Sequence, residues 1–513
     1  MYSCVASAAT YGIEAHIINC EADVSDGLPV FNMVGFLASE VREAKDRIKT
    51  AMKNSGFLMK PKHITINLSP ADLRKSGSGF DLPITLAVMA AADMIPTDKL
   101  ESALVIGELG LDGEIKGVSG ILPAVLAARD AGLKTVLLPM ANAREGAVVQ
   151  GIDCIGISCL YDAVRYLYEE EPVGLEPVRV DIEELFTCKK GTCGEDFADV
   201  AGQDVARRAV EIAVSGQHNL LLSGPPGAGK TMIAKRIPGI MPSLSFEESL
   251  ELSRIYSVAG HLSNEHFLVT ERPFRSPHHT ATVNSIVGGG QYPRPGEVSL
   301  AVGGVLFLDE MPEFNRTVIE ALRQPLEDRK VTISRLNATY TYPAGFMLVA
   351  SMNPCPCGYG SNSPKCTCTP SMIRRYRQKI SRPILDRIDM CVTVEGLDYK
   401  EISGHFKSES SETIRRRVEQ TRLVQQERYS HLGINFNSQL SGAYIKKYCK
   451  LGAKEQELME AAFARYNLSA RGYHRVLRVA RTIADMAGEE QISCTHLSEA
   501  LAYRISGFET EDT

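Results

Sequence analysis

An apolar run that breaks into a glycine-rich turn at residues 218–231, HNLLLSGPPGAGKT, restricts the fold of this chain more than any other stretch. Leu220, Leu221 and Leu222 are apolar whichever way they point, which reads as a parallel strand covered on both faces. The turn Gly224-Pro225-Pro226-Gly227-Ala228-Gly229-Lys230-Thr231 fits G-x-x-x-x-G-K-[ST] at every fixed position. Glycines let backbone N–H groups converge on a phosphate, and the helix that follows aims its positive end at the anion. Lys230 is expected to reach the β- and γ-phosphates, and the Thr231 hydroxyl to take one Mg²⁺ position. The bland alternative is a chance glycine-rich turn, against which the strand before it and the helix after it both count.

A second stretch, residues 304–310 (GVLFLDE), is an apolar run ending in two carboxylates. It reads as a central parallel strand with its acids at the carboxyl end, where open α/β sheets bind ligands. Asp309 is expected to hold Mg²⁺ through water and Glu310 to polarise the attacking water. A strand followed by an acidic helix cap is the alternative.

With 513 residues the chain exceeds one core, and length suggests about three domains. A net charge of −6 gives no general pull toward nucleic acid or acidic membranes, so any such contact needs local basic patches. The first residues lack a basic segment followed by an apolar core, and no run of about eighteen apolar residues occurs. Thirteen cysteines, an odd number, suit mostly free thiols in a reducing cytoplasm.

Residues 1–170 mix strand-like and helical patterns, as an α+β domain does. Residues 64–68 alternate, 40–55 form a charged amphipathic helix, and 82–94 are apolar nearly all round. Further elements are expected at 103–106, 120–131 and 135–138. Segments Gly107-Glu108-Leu109, Gly113-Glu114-Ile115 and 131–139 resemble the Lon-type proteolytic domain. That resemblance implies a Ser–Lys dyad, but Gly79 stands where the serine belongs and Leu122 where the lysine belongs. Ser76 and Ser78 lie nearby, but no partner lysine stands at the expected place, so the domain reads as a proteolytically inactive scaffold. Residues 171–195, entered through Glu169-Glu170-Glu171-Pro172 and carrying Lys189-Lys190, break periodicity and read as a linker.

A helix over 199–215 leads into the P-loop strand; beyond the P-loop, 242–257 and 314–327 are helical, 272–296 is an irregular basic insertion, and 330–342 reads as a β-hairpin. A buried strand at 346–350 ends at Asn353, placed to orient the hydrolytic water. Arg387 closes a helix before the strand at 391–394; in hexameric P-loop motors such an arginine reaches the neighbour's γ-phosphate. A helix-terminal arginine meeting its own dipole is the alternative. From Tyr399 onward the pattern is helical: 411–427, 442–449, 453–466, 469–486 and 495–505. Arg471 opens one of these helices, where such motors keep a second γ-phosphate sensor. Arg475 and Arg478 follow on the same helix face, so a solvated basic stripe remains open.

Cys355, Cys357, Cys366 and Cys368 form C-x-C-x₈-C-x-C, four thiols that suit a tetrahedral Zn²⁺ site, with free thiols or another cluster as alternatives. Adjacent His278 and His279 are expected on opposite faces of an extended chain, which disfavours shared ligation. Basic runs at 374–379 and 415–417 suit phosphate contact with stacking by Tyr376, or equally a solvated or subunit-facing surface. Better candidates for DNA are the 272–296 insertion and the hairpin with Lys330, Arg335 and Tyr340.

Taken whole, the chain resembles the magnesium-chelatase-like AAA+ ATPases of the YifB/ComM type. The most specific segments are 274–280 (FRSPHHT), 303–310, 322–328 (LRQPLED), 353–358 and 470–473 (ARGY). The resemblance implies a multidomain α/β protein: a Lon-protease-like α+β domain (1–170), a linker (171–195), an AAA+ P-loop core with chelatase-type insertions (196–398) and an all-helical lid (399–513). It implies an ATP- and Mg²⁺-dependent homo-hexamer moving on branched or single-stranded DNA during recombination or natural transformation, with no membrane partner. A chelatase motor subunit is the first alternative, disfavoured because residues 1–170 look foreign to it; an ATP-dependent protease is the second.

Overall fold

Alternation builds the first sheet. Tyr2–Tyr11 and Glu14–Ser25 bury every second side chain and pair antiparallel across a turn at Gly12, whose φ of +65° suits glycine. The computed structural model describes residues 1–170, 172–187, 195–290, 293–335, 338–360, 363–396 and 408–505. Its first sheet has seven strands in the order Val30–Val34, His63–Ser69, Glu14–Ser25, Tyr2–Tyr11, Ala103–Val105, Thr135–Pro139 and Asp153–Ile157. The sheet is mixed: the last four strands run parallel, whereas Glu14–Ser25 is antiparallel to both neighbours. Asp81–Ala91, buried along its whole length, seals one face, and Ile121–Asp130 packs on the other. The amphipathic helix expected over 40–55 is two pieces, Ser39–Arg42 and Ala44–Asn54, joined at Glu43. Arg47 on the second piece pairs with the buried Asp81 carboxylate at 2.7 Å, tying the exposed helix to the buried one.

The second sheet has five strands, all parallel, in the order Phe274–Arg275, Val305–Leu308, Met347–Met352, Leu220–Ser223 and Met390–Thr393. Both of its faces are covered, as the uninterrupted apolar runs require. Leu220, Leu222, Val305 and Phe307 face a core shared with the C-terminal helices, while Leu221, Leu306 and Leu308 face the other. The helix Lys230–Ile240 starts directly after the glycine turn. The 314–327 helix is again two, Arg316–Ala321 and Arg323–Asp328. The hairpin forms as Lys330–Arg335 paired with Ala338–Pro343.

The insertion at 272–296 is less irregular than its composition suggests. Phe274–Arg275 is an edge strand of the sheet, and Val283–Val287 is a capped helix. Within 171–195, Ile182–Thr187 is a short helix, while 189–194 lies outside the described residues, as does the expected lid start at Tyr399.

The C-terminal helices are Ser411–Tyr429, Gly442–Tyr448, Ala453–Arg465, Ala470–Met486 and Cys494–Ile505, within two residues of the periodicity at each end. Ser411–Tyr429 and Ala470–Met486 meet at Asp485, whose buried carboxylate accepts from Arg428 (2.6 Å), Arg481 (3.0 Å) and Asn437 (2.8 Å). Asp485→Ala should leave two guanidiniums uncompensated and cost about 3–5 kcal/mol. Thermal unfolding followed by circular dichroism should show the C-terminal helices melting as a separate, lower transition.

Candidate functional site

Parallel register brings three strand ends together. Ser223 pairs with Met352 and Leu308 with Ala350, so the turn after Ser223, the acids after Leu308 and the polar tip after Met352 meet at one edge. Asp309 accepts from Thr231 Oγ1 at 2.9 Å through one carboxylate oxygen and from Ser351 Oγ at 2.5 Å through the other. Ser351 Oγ in turn accepts from the Glu310 backbone N–H at 2.9 Å. Glu310 adopts a left-handed conformation, φ +52°, and its side chain is exposed. The strand therefore ends in a kink that holds Asp309 inward and turns Glu310 outward.

Lys230 donates to the carbonyls of Gly224 (2.6 Å) and Pro225 (2.9 Å) and to Asn353 Oδ1 (3.1 Å). Burial lowers its pKa, against the opposing pull of Asp309 and Glu310. Gly224 has no room for a side chain, since a Cβ would lie 2.2 Å from the Val394 carbonyl oxygen. Gly227 and Gly229 take φ of +76° and +89°. The donor set fits a nucleotide with its cation: a glycine cradle at a helix start, one ammonium, and a hydroxyl beside a carboxylate. Ser351 was not singled out by sequence. Its only trace is one hydroxyl in an apolar strand, and the register alone reveals that it faces Asp309.

Arg387 and Arg471 lie elsewhere. Arg387 precedes Met390–Thr393, and its carbonyl accepts from Asn219 Nδ2 at 2.8 Å, at the amino end of the P-loop strand. Five residue steps, roughly 16 Å at about 3.3 Å each, separate Asn219 from Gly224. Arg387 donates to the carbonyls of Arg323 (3.2 Å) and Pro383 (2.6 Å) and pairs closely with Glu327. Arg471 approaches the same Glu327 at 3.8 Å and is 63% exposed. Arg471, expected as a second γ-phosphate sensor, thus joins Arg387 at the opposite sheet edge rather than standing over the glycine turn of its own chain. The solvated stripe fails as well, because Arg475 and Arg481 are buried and Arg478 bonds the Leu440 carbonyl.

The four cysteines gather. Sγ of Cys355 lies 3.2 Å from Cys357 and 3.8 Å from Cys366, Cys357 lies 3.6 Å from Cys366, and all four thiols fall within 4.8 Å of one another. These separations are too long for disulfides and close to the edge of a tetrahedron with metal–sulfur bonds of about 2.3 Å. The Tyr359 backbone N–H and then the Cys355 thiol favour a thiolate at Cys357, whose pKa is pulled down to about 6.

Other expectations change. His278 and His279 do not splay apart: their rings lie 4.1 Å apart, with His278 on Thr280 and His279 against Phe314. Tyr376 is buried, so it does not present a ring to bases. Arg415 bonds the Gly239 carbonyl, Arg416 pairs with Glu412, and Arg417 with Glu211 and Glu409. Arg272 is enclosed by Glu248 and the Pro242 and Gly303 carbonyls. Tyr340 stacks on Tyr11 at 6.2 Å. Near the Lon-type positions, Ser78 is hydrogen-bonded to Glu108, and Leu122 is buried in an apolar core.

A parallel sheet with a glycine-turn phosphate cradle, an acid-tipped neighbouring strand and a helical C-terminal unit defines a P-loop nucleotide-binding protein of AAA+ type. Family models agree: "Magnesium chelatase, subunit ChlI" matches 196–402, "Subunit ChlI of Mg-chelatase" matches 20–142, and "Magnesium chelatase, subunit ChlI C-terminal" matches 408–504. Competence protein ComM of Haemophilus influenzae is 41% identical over 501 residues, covering 98% of this chain and 97% of that protein. The uncharacterized protein YifB of Salmonella typhimurium is 41% identical over 499 residues, covering 97% and 96%. Lon protease 2 of Bacillus subtilis is 23% identical over 148 residues, 28% of this chain and 26% of that one. The chain belongs to the magnesium-chelatase-like ComM/YifB family. The match at 20–142 to a model described for a chelatase subunit removes the argument that residues 1–170 are foreign to chelatase motors.

Ser351→Ala should release the Asp309 carboxylate and the Glu310 N–H together. Losing a charge-assisted bond is worth about 1.5–3 kcal/mol. Titration with a fluorescent ATP analogue and Mg²⁺ should read this as weaker, less Mg²⁺-dependent binding.

Proposed function

We propose that this chain is an ATP-hydrolysing motor that works as a ring of identical subunits, a hexamer, and moves branched or single-stranded DNA. One observation carries the reading. The phosphate-binding residues stand at the carboxyl edge of the parallel sheet, while the arginines suited to a γ-phosphate stand at its amino edge, out of reach within one chain. Copies arranged carboxyl edge to amino edge complete each other's sites, and such head-to-tail contacts close into rings.

ATP then lies on Gly224–Thr231, with Lys230 on its phosphates. A Mg²⁺ ion held near Thr231 and Asp309 would offset charge on the phosphate oxygens. Glu310 takes the proton of the attacking water, and Asn353 orients that water. Arg387 and Arg471 of the adjoining copy meet the charge developing on the γ-phosphate. Cleavage removes that contact and frees the seam, so nucleotide state becomes subunit movement.

The DNA reading is supported by the name of the Haemophilus relative, a competence protein, and by full-length coverage. It fits a role in recombination of incoming DNA. Within the chain the hairpin is held by Tyr11 against Tyr340 and by Arg335 on the Gly290 carbonyl, so DNA contact there requires its release. The family models favour a second reading, a chelatase-type motor that remodels a protein partner. ATPase activity stimulated by forked oligonucleotides, and strand displacement on a mobile three-strand junction, decide between them, with Lys230→Ala as the inactive control.

Glu310→Gln should bind ATP and accumulate as a stable ring without turnover. Arg387→Ala should lose about 10³–10⁵-fold in hydrolysis with nucleotide binding kept. Mixing these two inactive variants should restore hydrolysis, because an intact Glu310 in one then faces an intact Arg387 in the other. A mixture as dead as its components would refute the shared site.

A further inference from the structure

The cysteine loop sits on the nucleotide site rather than apart from it. Cys355 follows Asn353 by two residues, directly after the strand Met347–Met352. Gly358, at φ +91°, packs so closely on the P-loop that a Cβ there would lie 2.7 Å from two ring carbons of Pro226. The loop thus touches the phosphate cradle at one point and leads out of the water-orienting strand at another.

Little else holds this loop. The described residues of 354–369 contain no helix or strand, and Cys355 is their only fully buried side chain. Several of their internal bonds run to the cysteines: the Gly360 N–H donates to Cys355 Sγ at 3.2 Å, the Gly358 N–H to the Cys355 carbonyl at 3.0 Å, and the Cys366 N–H to the Ser363 carbonyl at 3.0 Å. A loop with so small an apolar core is ordered by what its thiols bind. Among the described residues this is the only group of three or more potential ligands with metal-site spacing, and it is made wholly of sulfur. Four sulfurs in tetrahedral spacing, with the cysteines as C-x-C pairs, select a soft tetrahedral ion.

We propose that Cys355, Cys357, Cys366 and Cys368 bind one structural Zn²⁺ per chain, and that this ion positions Asn353 and the P-loop for ATP hydrolysis. The second part rests on the reading of 224–231 and Asn353 as the ATP site; the first does not. The cysteines are positioning residues: they act through the Gly358–Pro226 contact and through the two-residue link to Asn353.

The test uses the full chain purified without chelators. Elemental analysis should find one zinc per chain in the wild type and none in Cys366→Ser/Cys368→Ser. Cobalt exchanged into the wild type should show the absorption of a tetrahedral thiolate site. Stoichiometric iron, or no metal, would overturn the assignment whether or not the protein hydrolyses ATP. Stripping zinc from the folded wild type should lower kcat about tenfold and readdition should restore it, while in Asn353→Ala stripping should change kcat less than about twofold. Equal losses in both backgrounds would overturn the link to Asn353. Gly358→Ala keeps all four thiols; it should retain zinc and weaken binding of a fluorescent ATP analogue about tenfold, and unchanged binding would overturn the P-loop contact. If zinc is found and reversible but neither wild type nor any variant hydrolyses ATP, the ATPase reading has failed and the metal site stands.

Discussion

Five strands running in one direction is the constraint from which the rest of the structure follows. A parallel ladder sorts the connections into two groups, those leaving the carboxyl edge and those entering the amino edge. Gly224, Asp309 and Asn353 all leave at the first edge, which is why residues distant in sequence share hydrogen bonds through Ser351 and Lys230. At the second edge His218, Asn219, Arg387 and Asp389 enter. The sheet is a spacer as much as a scaffold, holding two chemically different surfaces a fixed distance apart.

The same sheet ties the C-terminal helices to the P-loop. His218, just before the P-loop strand, is fully buried, and burial pushes its pKa down to about 4; its Nε2 lies 2.8 Å from Thr482 Oγ1. Gln425 donates to the Ser215 carbonyl at 3.0 Å, and Arg417 pairs with Glu211 at 2.6 Å. Arg415 bonds the Gly239 carbonyl near the end of the P-loop helix. The helical unit therefore grips the elements before and after the glycine turn. The N-terminal unit joins more locally, through Ser257 Oγ on the buried Glu145 carboxylate at 2.5 Å and Arg254 on the Ile13 carbonyl.

What sequence disclosed, and what it hid, divides along the same physical line. Runs such as 220–222 and 305–308 are legible because strands covered on both faces must be apolar throughout, and the five C-terminal helices because their periodicity is sustained. The phosphate turn is legible because backbone geometry forces its glycines. The hairpin 2–25 was hidden because its inward residues include Ser3, Ser7 and Ala9, too small or polar to mark a face. Ser351 was hidden because its importance lies in register, not in its own neighbours. Tyr376 and Arg475 misled for the opposite reason: a local basic pattern carries no information about which face a helix buries. The break at Glu43 shows that periodicity also runs through a kink unnoticed.

On the proposed shared site, Glu327 accounts for how two arginines stay ready at a surface with no phosphate of their own. Arg387 is only 12% exposed, and two carbonyls and one carboxylate fix its guanidinium, whereas Glu327 is 55% exposed. A pair with one solvated partner is worth at most about 1 kcal/mol, so exchanging that carboxylate for another anion costs little. In the proposed ring, a phosphate brought up by another copy would meet a guanidinium already oriented by the carbonyls of Arg323 and Pro383, with the largely exposed Arg471 beside it. On that proposal, orientation is settled within the subunit and the charge partner is supplied at the seam. In the proposed ring, that division would make hydrolysis depend on assembly, while the carbonyl contacts that orient Arg387 need no nucleotide.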